Sequence, residues 1–169
     1  KPHAILEFFS PDLRWAIHRT ILLEQIDVLQ LEYLVLGQYA CDFHRLACML
    51  FEHDVYFQSV ARKIRLAGSL LADPKASYEY LRALRYELGL LPRLDRIQVC
   101  SGANQTYVES FLPQLRGRID ADVRAGINAR EYIFATENRE PDTILFLGSF
   151  RHHPNQEAVN WFLAHVWPK

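Results

Sequence analysis

Apolar positions in this chain fall into two kinds of segment. Five short runs have strand length: Asp27–Leu31, Leu46–Phe51, Arg96–Cys100, Ile119–Val123 and Thr143–Leu147. The second and fifth are almost continuously hydrophobic, as strands covered on both faces are. Most of the segments between them carry apolar residues at three- and four-residue steps, the period of a helix with one dry face. Ser10-Pro11 has the form of an N-cap followed by proline at the first helical position, and predicts a helix to about Ile26. Tyr56, Val60, Ile64 and Leu71 share one helical face, and Tyr78, Leu81, Leu84, Leu88 and Leu91 share another. Asp73-Pro74 divides those two helices. Further helices are expected over Ala103–Leu112 and Asn155–Val166.

Strands alternating with helices predict an α/β fold: a mainly parallel sheet with right-handed crossovers and helices on both faces. The polar, proline-containing stretch Thr136–Asp142 reads as a linker. It divides a domain over residues 1–135 from a single strand–helix unit over 143–169. One such unit cannot bury both faces of its strand. It belongs to a second, truncated domain or packs onto the first sheet. The chain opens at Lys1 without an initiator Met and closes at Lys169 just after a helical pattern, so both ends are expected to be cuts.

In open parallel sheets, ligands bind outside the carboxyl ends of the strands. The residues there are Glu32-Tyr33, Glu52-His53-Asp54, Ser101-Gly102, Gly126 and Gly148-Ser149. His53 is the sharpest candidate. An imidazole at that place can hydrogen-bond a sugar hydroxyl or a phosphate, or exchange a proton. It can equally position the helix that follows. Glu52 and Asp54 flank it as cleft carboxylates or as a solvated loop. Ser101-Gly102 opens a helix whose amides attract anions, or is an ordinary N-cap. Gly148-Ser149 lets a phosphate or another backbone approach closely. His152-His153 reads as a loop, because adjacent residues rarely converge on one ion, and no metal is expected. No Gly-x-Gly-x-x-Gly, Walker or Gly-x-Ser-x-Gly motif is present.

Composition narrows this picture. Half of the 169 residues are hydrophobic and 12% are aromatic, enough for a real core. A net charge of -1 argues against a nucleic-acid binder. Cys41, Cys48 and Cys100 lack metal-ligand spacing and read as free thiols in a reducing, cytoplasmic compartment. No apolar run approaches the roughly 20 residues of a membrane span. From Val60 to Arg96, eight basic residues stand against four acidic ones. Such a surplus suits peripheral contact with an anionic membrane or a phosphate-bearing acceptor, or is the wet side of two surface helices.

Five segments then carry a resemblance. TILFLGSFRHHPNQEAVNWFLAHVWP (Thr143–Pro168) resembles the opening of the C-terminal domain in family 4 glycosyltransferases. DVLQLEYLVLGQY (Asp27–Tyr39) resembles that family's Asp-Val-Val-Gln-Val-Glu strand, and FEHDV (Phe51–Val55) its Glu-His-Asp loop. YELGLLPRLDRIQVCS (Tyr86–Ser101) and Gly126-Ile127-Asn128 resemble its next strand and its turn before the interdomain linker, although Ala125 stands where the usual turn has Asn. The resemblance implies a truncated GT-B enzyme: a Rossmann-like acceptor-side domain and the first unit of a donor domain. Such an enzyme moves a sugar from a nucleotide-sugar donor onto a glycan or lipid-linked acceptor, with retention and without a metal or other cofactor. It implies His53 near the transferred sugar, Gly148 and Ser149 near the donor diphosphate, and Glu32 and Ser101 as lesser cleft residues. It also implies that the Gly-rich loop and the Glu-x7-Glu donor element lie outside this stretch, in a missing C-terminal domain in the latter case, so that the fragment is inactive alone. A GT-B sugar-nucleotide epimerase using Glu52, His53 and Asp54, or a non-catalytic flavodoxin-like module, are the alternatives.

Overall fold

A computed structural model describes residues 1–43, 45–66, 73–122, 126–132, 137 and 140–167, and only the backbone of Cys41, Lys63, Arg65 and Leu66. Leu71, Val123, Ala125, Thr136 and Pro168 lie outside the described residues. The chain forms two compact units, Lys1–Gly126 and Ile127–Lys169.

The first unit is α/β. Its strands are β1 (Val28–Glu32), β2 (Ala47–Glu52), β3 (Arg96–Val99) and β4 (Ile119–Asp120). They pair in parallel in the order β1-β2-β3-β4. Its helices are α1 (His3–Glu7), α2 (Pro11–Glu24), α3 (Tyr56–Leu66), α4 (Pro74–Leu90) and α5 (Gly102–Phe111). A 3-10 segment over Leu34–Asp42 joins β1 to β2.

The sheet has one dry face. Register aligns Leu29 with Cys48, Leu31 with Leu50, Leu50 with Ile97, and Ile97 with Ile119. Leu31, Cys48, Leu50, Ile97 and Ile119 form a buried cluster with Phe57, Leu90, Leu94, Val108 and Leu115, and the half-buried Leu29 packs against it. The opposite face carries Val28, Gln30 and Glu32, then Met49 and Phe51, then Arg96 and Gln98, and none of these is buried. Among the described residues, the expected cover on both faces is therefore found on one. A monotonic strand order explains why: right-handed crossovers between successive neighbours all return over the same face.

The helix boundaries follow local chemistry. The Ser10 hydroxyl accepts from the Leu13 amide at 3.2 Å, with Pro11 at the first helical position. Asp73 accepts from the Lys75 and Ala76 amides at 3.0 Å each and starts α4. The face α4 buries overlaps the leucine repeat in part: Leu84 and Leu88 pack against the core, and Leu91, just after the helix, is fully buried. Tyr78 and Leu81 are exposed, while Ala83, Glu87 and Leu90 are buried. Gly37 permits this docking, since a Cβ there would lie 2.5 Å from the Leu90 side chain.

In the second unit, α6 (His153–His165) forms where a helix is expected. Thr143–Leu147, expected as a strand, pairs with no other segment among the described residues. Leu145 and Leu147 are 87% and 92% exposed. A strand needs neighbours for its amides and carbonyls, and an apolar run alone does not supply them.

Candidate functional site at the carboxyl ends of β1 and β2

Side chains alternate across a strand, and this alternation sorts the residues at the top of β1 and β2. Cys48, Leu50 and Glu52 point to the core; Phe51 points to the open face. His53, just past the strand, stays on the open side. Its Nε2 lies 2.8 Å from Oε2 of Glu32, the last residue of β1. The Gln30 amide donates to the other oxygen, Oε1, at 2.7 Å. These hydrogen bonds, with that from His53 the larger effect, hold the Glu32 carboxyl below its usual range. Glu32 therefore stays an acceptor, and Nε2 carries the proton it receives. In the neutral ring the lone pair then sits on Nδ1.

Two aromatic rings fix the imidazole. Tyr33 stacks on it with centroids 4.1 Å apart, and Phe51 lies tilted at 4.2 Å. Tyr33 sits at φ 66°, a left-handed conformation that costs a non-glycine residue on the order of 1 kcal/mol or more. Its amide donates to the Phe51 carbonyl at 3.0 Å, extending the β1–β2 pairing past Glu32. The backbone thus turns sharply where its ring meets His53. About a third of the His53 side chain and somewhat more of the Glu32 side chain face solvent. An oriented, solvent-reachable imidazole of this kind can accept a proton or a hydrogen bond from a hydroxyl.

Glu52 does something else. It is fully buried, and as a carboxylate neither of its oxygens would have a hydrogen-bond partner. Its neighbour is Glu87 of α4, also fully buried. Glu87 accepts from the Tyr56 amide at 3.0 Å and the Phe57 amide at 2.8 Å, closing the first turn of α3. Burial, then repulsion from Glu87, drives the Glu52 carboxyl well above its ordinary range. Glu52 is the acid that donates to Glu87, and the apparent lack of a partner disappears once that proton is counted. Burial likewise pushes Glu87 up to about 7, against the pull of its three donors. The pair ties β2, α3 and α4 together beneath His53, and Glu52 offers no surface to a ligand.

The other candidates are placed as follows. Asp54 is exposed. Ser101 caps α5, its hydroxyl accepting from the Asn104 amide at 3.2 Å, and Gly102 opens that helix with nothing near its missing Cβ. In the second unit, a Cβ on Gly148 would meet the end of the Asn155 side chain at 2.8 Å and the Phe146 ring at 3.0 Å, so the glycine lets its own loop pack closely. The Ser149 hydroxyl accepts from the Arg151 amide at 3.3 Å, and its carbonyl accepts from the Asn155 side chain at 3.1 Å. His153 pairs with Glu157 at 3.5 Å. No group of three His, Cys, Asp or Glu side chains among the described residues could hold a metal ion. No helix is long and apolar enough to cross a membrane among them.

No family model, curated protein or solved structure matches this chain.

Sequence reasoning named Glu32 and His53 separately but not their contact, and it missed Tyr33 and Phe51 as the walls of the site. The period of two along β2 was the available signal. With Cys48 and Leu50 inward, Glu52 must follow them and His53 must face away.

Proposed function

We propose that the first unit is the acceptor-side domain of a retaining, family 4-type glycosyltransferase of GT-B architecture, with His53 as its catalytic-cleft imidazole. The observation that carries this is the His53–Glu32 pair at the carboxyl ends of adjacent parallel strands, where α/β sheets bind ligands. Four strands in monotonic order form one half of a doubly wound sheet, whose switch point lies beside its first strand. That is the β1 side, where the pair sits. Glu32 fixes the ring, and Nδ1 accepts from a hydroxyl of the sugar or acceptor as charge develops in the transition state. In this reading the donor is a nucleotide sugar bound mainly by a further domain, and Gly148 and Ser149 approach its diphosphate. The acceptor is a glycan or a lipid-linked glycan, and the enzyme works in the cytoplasm, peripheral to the membrane. Neither a metal nor another cofactor takes part. The epimerase alternative relies on cleft carboxylates, and Glu52 is buried away from the open face.

The test is transfer or hydrolysis of a panel of nucleotide sugars by the natural protein that contains this chain. His53→Ala and Glu32→Gln should each lower kcat/KM at least about tenfold with folding preserved. Absence of turnover with every nucleotide sugar, or turnover indifferent to His53→Ala, overturns the proposal.

A further inference from the structure

A cavity of the first unit, about 780 Å³ in volume, shares no residue with the His53 cluster. One stripe of α4 and the turn after it form a wall: Tyr78, Arg82, Arg85, Gly89 and Arg93. Residues of the 3-10 segment and of the chain's first fourteen residues close it, among them Tyr39, Asp42, Lys1, Phe9 and Arg14. Five cationic side chains line the space against one carboxylate.

That carboxylate is already engaged. Arg14 grips Asp42 through two hydrogen bonds of 2.7 Å, and His18 adds a third at 3.1 Å. Arg82 pairs with Glu79 at 3.2 Å, and its guanidinium lies 5.6 Å over the Tyr78 ring. Arg85 is exposed and makes no ion pair with any described residue. Arg14 and Arg82 already hold carboxylates, so an anion entering the cavity meets Arg85 most directly and the neighbouring cations add to its attraction. Guanidinium groups in particular match phosphate oxygens with paired hydrogen bonds.

Gly89 is the second observation. It lies inside α4, where glycine costs up to about 1 kcal/mol relative to alanine. Neither usual reason for a glycine applies: its φ is not positive, and a Cβ would meet nothing within 4 Å. What the missing side chain does is leave room in the cavity. The volume is in the range of organic-ligand sites and far exceeds one bare phosphate. Aromatic rings, Tyr78, Tyr39 and Phe9, supply surface for an organic body.

We propose that this cavity binds a phosphate-bearing organic molecule, with its phosphates on Arg82, Arg85 and Arg93 and its body over Gly89 beside the aromatic wall. The site is independent of the glycosyl-transfer reading and stands if that reading falls.

The test uses the 169-residue chain. Inorganic pyrophosphate and ADP are titrated by calorimetry, and vesicles of phosphatidylcholine with and without phosphatidic acid are tested by co-sedimentation. Arg85→Ala and Arg93→Ala should each weaken binding about tenfold, as loss of one charge-assisted contact does. Arg116→Ala, an exposed arginine outside the cavity, should leave it unchanged. Gly89→Leu keeps every charge and fills the space, so it should weaken ADP more than pyrophosphate. Binding of ADP or pyrophosphate with this pattern supports a soluble ligand. Binding only to phosphatidic acid vesicles, lost in the same variants, supports a lipid headgroup. No binding in any arm overturns the proposal. So does binding that Arg116→Ala weakens as much as Arg85→Ala, or that Gly89→Leu leaves intact.

Discussion

Replacing Glu52 by glutamine should leave the protein as stable as before in weak acid and make it more stable in weak alkali. The wild-type pair works only while it holds a proton. Glu87 titrates near 7 rather than at the ordinary 4.5, because burial disfavours its charge. A raised carboxyl contributes stability that is complete below the unfolded value and is lost as pH rises through the folded one. The loss therefore runs from about pH 4.5 to beyond pH 7. At 1.36 kcal/mol for each pH unit between the two values, the share carried by Glu87 reaches about 3 kcal/mol as a ceiling, and because it comes from Glu87's own burial it persists in Glu52→Gln. Glu52, raised further, extends the loss to higher pH. Glutamine at position 52 has nearly the same shape and donates an N–H to Glu87 at any pH. Urea unfolding should find Glu52→Gln within about 1 kcal/mol of wild type near pH 6 and more stable than wild type near pH 9, by the share of the alkaline loss that Glu52 itself carries. Amide exchange at Tyr56 and Phe57, which Glu87 caps, should track the same difference. By contrast, Glu87→Ala strands both amides and should cost about 4 kcal/mol at every pH. A Glu52→Gln protein that loses as much stability as wild type between pH 6 and pH 9, or that is badly destabilised near pH 6, would refute the shared proton.

Three further outcomes follow from single contacts. Gly37→Ala should cost on the order of 1 kcal/mol in urea unfolding, because the new methyl must displace the buried Leu90 side chain. Glu32, observed by carbon NMR, should titrate below the usual carboxylate range and return toward it in His53→Ala, since its depressed value comes first from the His53 hydrogen bond. The stabilisation from that pair is present above the ordinary carboxylate value and fades as pH falls through the depressed one. Ser101→Ala should lose about 1 kcal/mol from the missing N-cap, and the isosteric Ser101→Cys should not restore it.

The sheet was legible because each strand is a short apolar run, and the first four runs overlap β1 to β4 within a few residues. Ser10-Pro11 and Asp73-Pro74 announced two helix starts through capping chemistry that acts within one turn. What failed needed partners far away in sequence. The segment Leu34–Asp42 is apolar nearly all round and shows no period, yet it packs as a 3-10 helix on α4. Leucine spacing along α4 found Leu84, Leu88 and Leu91, which pack on the core, but it also pointed to the exposed Tyr78 and Leu81 and passed over the buried Glu87. Its burial makes sense only once Glu52 and the start of α3 are in place. Thr143–Leu147 has strand composition without a strand's neighbours. At the candidate site, alternation along β2 was enough to turn Glu52 inward, while the Tyr33 turn that presents a ring to His53 has no sequence signature.

The exposed run at Thr143–Leu147 also bears on how the chain behaves at high concentration. Ile144, Leu145, Phe146 and Leu147 form an uncharged, proline-free stretch of high strand propensity with its backbone unpaired. Two such segments from different molecules can satisfy each other's hydrogen bonds, which is how edge-to-edge aggregation begins. This segment should then seed self-association of the chain, and a single Leu145→Lys gatekeeper should weaken it.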